Sequence, residues 1–191
     1  MNILCEGLDR CGKSTLISTL QAEIYNSWIY PINSEKPRTC AVLHYNNIKA
    51  KNLTLDEMKL VSFNHYCNGF DLMMKNHRTN NVLIFDRFHL GEYVYSELYR
   101  GYEGNYVFDI EKKYVEVLDK TTYLIVLVDN IDNLISRDDG LSFTTDREKK
   151  QWEVDRFTQA YEQSSFTKKI LINISDLTIE EVANKVKTWI F

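Results

Sequence analysis

Proline is almost missing from this chain, with two in 191 residues, which excludes Pro-rich linkers. No apolar run approaches the ~20 residues that a membrane helix needs. The longest, residues 123–128, is the size of a strand. The four cysteines, Cys5, Cys11, Cys40 and Cys67, form no CxxC pair, and no histidine stands at zinc-finger spacing from them. They read as reduced thiols rather than as disulfides or metal ligands. Residues 1–6 carry no basic stretch and meet a carboxylate at once, which is not the pattern of a signal peptide. A cytoplasmic location is the expectation. A positive surplus is missing too: the formal net charge is −4 and the pI near 5.6. That argues against a basic nucleic-acid groove over the whole surface.

What is present is ordinary globular composition, 44% apolar and 26% charged, so disorder is excluded as the main state. The length fits one domain, residues 1–191. Four short apolar runs, at 3–5, 82–85, 123–128 and 170–174, lack alternation, as strands buried on both faces do. A weaker fifth run lies at 28–30 and ends at Pro31. Between the runs lie helical patterns. Leu16, Leu20 and Ile24 share one face of a helix that starts at Lys13. Thr54 and Glu57 form a capping box with Leu53 and Met58 as its staple, opening a long helix toward His77. Thr178 and Glu181 repeat the device, and Val182, Val186 and Ile190 stripe the closing helix. Strands alternating with helices predict a doubly wound parallel α/β sheet of five strands with helices on both faces.

The strongest local signal is Gly7-Leu8-Asp9-Arg10-Cys11-Gly12-Lys13-Ser14. It fits G-x-x-x-x-G-K-[ST] between a strand and a helix, the setting that a phosphate cradle requires. Glycines let the backbone wrap an anion, and successive N–H groups at the helix start point at phosphate. Lys13 adds a charge for the β- and γ-phosphates, and the Ser14 hydroxyl suits a Mg²⁺ that keeps most of its waters. ATP with Mg²⁺ is the expected ligand. Arg10, inside the cradle, suits charge neutralisation on a transferring phosphoryl. Asp9 suits a metal water or a substrate hydroxyl.

A second site is expected at residues 82–87, an apolar strand that ends in Asp86 and Arg87. Ligands of open α/β sheets bind at such carboxyl ends. Asp86 suits a magnesium water or the cradle lysine, and Arg87 suits bidentate capture of a second phosphate. A guanine reader of the Asn-Lys-x-Asp type is missing, and Asp-x-x-Gly occurs only inside the cradle, so a GTPase switch does not fit.

Taken together, these residues resemble the thymidylate kinase family of P-loop nucleoside monophosphate kinases. Residues 6–15, which take in Thr15, are similar to that family's opening. Asp86-Arg87-Phe88 is similar to its Asp-Arg-Tyr/His motif. The resemblance implies that Tyr95 packs against a deoxyribose and excludes a 2′-hydroxyl. It implies that Arg38, after Glu35-Lys36-Pro37, meets a phosphate. Residues 137–150 resemble the lid, with Arg147 toward ATP. Where the family reads thymine with Phe and Arg, this chain has Val61 and His65, with Phe63 as a stand-in for the ring. The expected reaction is phosphorylation of a deoxypyrimidine monophosphate, dTMP foremost, with dUMP or a modified pyrimidine also open. A deoxynucleoside kinase, a kinase of modified bases in DNA and a nucleotide-binding regulator without turnover are the competing readings. The resemblance also implies a homodimer.

Overall fold

Three central strands form where the chain offers nearly unbroken apolar runs, because both faces of a parallel sheet are covered. The computed structural model describes residues 1–27, 40–44, 52–138, 140 and 142–191. Its strands are β1 (Asn2–Gly7), β2 (Cys40–His44), β3 (Val82–Asp86), β4 (Thr122–Val128) and β5 (Lys169–Asn173). All four neighbouring pairs are parallel, in the order β2-β3-β1-β4-β5. The expected five-stranded parallel sheet is therefore present. Its fifth strand is β2, which the sequence reading did not find. The run at 28–30 lies outside the described residues.

The helices are α1 (Lys13–Ser27), α2 (Leu55–Asn76), α3 (His89–Tyr95), α4 (Tyr106–Leu118), α5 (Ile131–Ser136), α6 (Arg147–Gln163) and α7 (Ile179–Ile190). Both capping boxes are made. Thr54 Oγ1 accepts from the Glu57 N–H, and Thr178 Oγ1 accepts from the Glu181 N–H at 3.2 Å. A π-helical turn, Ser96–Arg100, extends α3; such turns recur at functional sites. α1 packs on α7, while α3 packs against both α4 and α6. This last arrangement buries all seven residues of α3.

The strand order decides where a ligand can bind. β1 is central, with β3 on one side and β4 on the other. All the strands run the same way, but β2 and β3 are laid down on one side of β1 and β4 and β5 on the other, and at such a switch a crevice opens at the carboxyl ends of β1 and β3. Cys5 is in register with Asp86 there, and the Arg87 N–H donates to the Cys5 carbonyl at 2.9 Å.

Candidate active site

The cradle begins where β1 runs out of ladder. Gly7 has φ +126° beside β4, and a Cβ there would stand 2.1 Å from the Leu127 carbonyl oxygen. Only glycine satisfies both constraints. Arg10 (φ 68°) and Gly12 (φ 76°) are also left-handed, which turns the loop's N–H groups inward before α1 starts at Lys13. Arg87, at the neighbouring strand end, has φ 67°. Two arginines in this sparsely populated region mark a backbone held by its surroundings.

Lys13 is only 5% exposed. Its ammonium donates to the Gly7 carbonyl at 3.0 Å and to the Leu8 carbonyl, and it lies 3.7 Å from Cys11 Sγ. A cation is thus folded over the loop that would wrap a phosphate. Ser14 and Thr15 are exposed in the first turn of α1. The Arg10 carbonyl accepts from Arg137 at 3.4 Å, and Arg137 also pairs with buried Asp129 at 2.7 Å. The Arg10 charge reaches the foot of the expected lid. There the Asp138 carboxyl is held below its ordinary range, first by the Ser142 hydroxyl and also by Arg10.

Asp9 and Arg87 are joined by an ion pair across the crevice. Burial pushes the Asp9 carboxyl up, but Arg87 and Lys13 outweigh it and hold the pKa low. Asp86 sits beside them, 3.0 Å from His44 Nδ1 on β2. A magnesium ion fits this set. A primary hydroxyl at a helix start and a single strand-end carboxylate, Ser14 and Asp86, are the sparse protein donors that Mg²⁺ takes beside phosphate and water. No cluster of three or more carboxylate, thiol or imidazole groups competes for it among the described residues.

Tyr95 lies under the same crevice, 2% exposed, and its hydroxyl has no partner among the described residues. Burial, with Asp9 and Glu153 nearby, raises its pKa far above the ordinary value. Its ring meets Tyr99, Phe143 and Phe157 at 5.4 to 6.0 Å. The Arg87, Asp9 and Tyr95 expected at the second subsite are thus drawn together.

On α2, Val61 and His65 lie one turn apart and share a side of the helix. Phe63 does not join them. Two residues are about 200° around a helix, and Phe63 faces α4 instead, 5.9 Å from the Tyr106 ring and 6.0 Å from Lys113 Nζ. It is therefore no substitute for a ring at position 61. Burial lowers the His65 pKa, partly opposed by Glu92, so the imidazole is neutral at neutral pH. Arg147 stands at the start of α6. It pairs with Asp132 at 2.6 Å, with 63% of its side chain exposed, on the outer side of α6. Arg38 lies outside the described residues.

The sequence reading missed three buried groups. Glu6 Oε1 accepts from the Leu90 N–H at 2.9 Å, which ties the cradle strand to the start of α3; burial raises this carboxyl's pKa. Glu92 gathers the hydroxyls of Tyr66, Tyr102 and Tyr106 and the Arg100 guanidinium. Lys150 is buried on the inner side of α6. A carboxylate inside an apolar stretch was the only signal for the first two.

A family model described as thymidylate kinase matches residues 5–186. No curated protein sequence matches the chain. Among solved structures it is similar to the YorR protein of Bacillus subtilis in complex with phosphorylated GDP, at 15% identity and TM-score 0.66, over 100% of this chain and 95% of that one. It is similar to thymidylate kinase from Candida albicans, at 15% identity and TM-score 0.64, over 99% and 90% of the two chains. Thymidylate kinase from Ehrlichia chaffeensis gives 17% identity and TM-score 0.65, over 100% and 98%. At such identities the likeness speaks for the fold.

Proposed function

The chain belongs to the thymidylate kinase family of nucleoside monophosphate kinases, and on that footing we propose that it transfers the γ-phosphoryl of ATP to a deoxypyrimidine monophosphate, dTMP foremost. The observation that carries the reading is the Arg87–Asp9 pair at the mouth of the cradle, with Tyr95 beneath it. A guanidinium there suits a second phosphate, held bidentately. The Tyr95 ring suits the sugar, where it leaves no room for a 2′-hydroxyl. His65 and Val61 suit the base edge. With a neutral histidine in place of an arginine, dUMP or a modified pyrimidine fits the same pocket.

In this mechanism Lys13 leaves its loop carbonyls for the β- and γ-phosphates, and the cradle N–H groups take the phosphate oxygens. Mg²⁺, held by Ser14 and Asp86 with ATP, supplies charge neutralisation when bound. An oxygen of the acceptor phosphate attacks the γ-phosphorus. The bond to the β–γ bridging oxygen breaks, and ADP leaves with that electron pair. The acceptor is already an anion, so no general base is needed. Positioning and charge neutralisation do the rest, with Arg10 next to the transferring group. Residues 137–150 act as the lid that keeps water from the phosphoryl. Phosphorus NMR of ATP, Mg²⁺ and dTMP with the protein tests this. The signals of ADP and dTDP should grow together; ATP left intact, or ADP with free phosphate alone, contradicts it.

A further inference from the structure

A carboxylate stands in the central strand, one residue before the cradle. Glu6 is fully buried on β1, which has β3 on one side and β4 on the other. A buried carboxylate is costly unless it is hydrogen-bonded. Glu6 Oε1 accepts from the Leu90 N–H at 2.9 Å, and the Phe88 N–H also bears on the carboxyl. Leu90 is the second residue of α3, and its N–H is a donor that an N-cap side chain would take. The N-cap itself is Phe88, which makes no side-chain cap. Its ring belongs to the core, 5.0 Å from both Phe70 and Phe85. The cap of α3 therefore comes from another strand. Together with the Cys5 carbonyl, which accepts from the Arg87 N–H at 2.9 Å, it encloses one short turn. Inside that turn lie Arg87 at φ 67° and Phe88 at φ −155°, ψ −134°. A left-handed residue other than glycine persists where its surroundings fix it.

We propose that Glu6 is a positioning residue for the acceptor: by capping α3 from β1 it fixes the turn at Arg87, and with it the guanidinium that takes the acceptor's phosphate. This rests on the monophosphate kinase reading above. Glu6 touches no ligand and acts through Arg87. The Arg87 side chain pairs with Asp9, in the loop that follows Glu6. One stretch of chain, residues 5–9, thus holds both the backbone and the side chain of Arg87. The cap needs an acceptor at Oε1 rather than a charge. Oε2 has no partner among the described residues, so an amide can replace the carboxylate and lose no hydrogen bond.

The test compares Glu6→Met, Glu6→Asp, Glu6→Gln, Arg87→Ala and the double variant Glu6→Met/Arg87→Ala with wild type. Glu6→Met keeps the side-chain length and removes the acceptor. Glu6→Asp draws the acceptor back by one methylene, and it carries the test if the Met variant does not fold. Calorimetry reads the dissociation constants of ADP and of dTMP, dUMP or dCMP, whichever wild type phosphorylates best. Glu6→Met and Glu6→Asp should each weaken the monophosphate about tenfold and leave ADP unchanged. Glu6→Gln should bind it like wild type. In the Arg87→Ala background Glu6→Met should cause no further loss, because the two residues act as one. Monophosphate binding at wild-type strength in the Met and Asp variants overturns the inference. So does an equal loss for ADP, a Gln variant as weak as the Met one, or a loss that adds in full to that of Arg87→Ala. A wild type that phosphorylates no monophosphate overturns the kinase reading itself and this inference with it.

Discussion

Arg87 and Asp9, 78 residues apart in sequence, form an ion pair across the seam between two parallel strands. The pair exists because β1 and β3 are neighbours in register, so the loop after one meets the end of the other. It joins the part of the crevice suited to ATP to the part suited to the acceptor. Arg87→Ala should weaken acceptor binding by about 1.5–3 kcal/mol, the range for a hydrogen bond to a charged group, or roughly 10- to 100-fold. ATP binding should change far less. Calorimetry with each nucleotide separately reads the difference, and equal losses would contradict the role given to Arg87.

Gly7→Ala should be far more harmful than its size suggests. The new Cβ would meet the Leu127 carbonyl oxygen at 2.1 Å with φ at +126°, so β1 and β4 must part. A loss above about 3 kcal/mol is expected from the strain and the clash together. Urea unfolding of the purified variant, or its failure to accumulate folded, checks this.

Tyr95 should govern the sugar. Its hydroxyl has no partner among the described residues, so Tyr95→Phe should leave turnover nearly intact. Tyr95→Ala removes the ring and should raise the rate with UMP relative to dUMP, by about tenfold or more. Parallel kcat/KM values for the two nucleotides measure it. An unchanged ratio would place the sugar elsewhere.

A buried pair holds α3 in place behind the site. His89 Nε2 and Glu111 Oε2 are 2.6 Å apart with both side chains fully buried, and Glu111 also accepts from the Ser164 hydroxyl at 2.9 Å. Burial pushes the Glu111 carboxyl up, but His89 and the Ser164–Ser165 donors outweigh it, so its pKa is below the usual 4.5. A depressed carboxyl contributes stability above its unfolded pKa, which is lost as pH falls through the folded one. Glu111→Gln should therefore cost about 1–3 kcal/mol at pH 7. The gap to wild type in urea midpoint should narrow as pH drops below the usual glutamate value. A gap independent of pH would show that the Glu111 charge does no stabilising.

The cradle was legible in the sequence because its demands are local. Gly7, Gly12, Lys13 and Ser14 each answer a backbone or phosphate requirement within eight residues. Strand β2 was not legible. As an edge strand, Cys40–His44 is half-exposed beyond Cys40, and its short apolar run, residues 40–43, includes an alanine, a residue depleted in strands. Phe63 was matched by residue type, and the helical angle between positions 61 and 63 overrules that match. Arg147 was named from its place in the lid-like segment, and Lys150 was not considered. Which side of α6 turns inward is set by docking on α3, which no local pattern encodes. Glu6 finds its partner Leu90 at a separation of 84 residues, again invisible until the chain is folded.

The account rests on the acceptor carrying a phosphate. The most direct measurement is ADP formation from ATP with dTMP, dUMP, dCMP, thymidine and DNA side by side. The account predicts turnover with at least one deoxypyrimidine monophosphate, dTMP foremost, and none with thymidine or DNA. Turnover with thymidine or DNA alone, or with no acceptor at all, would contradict it.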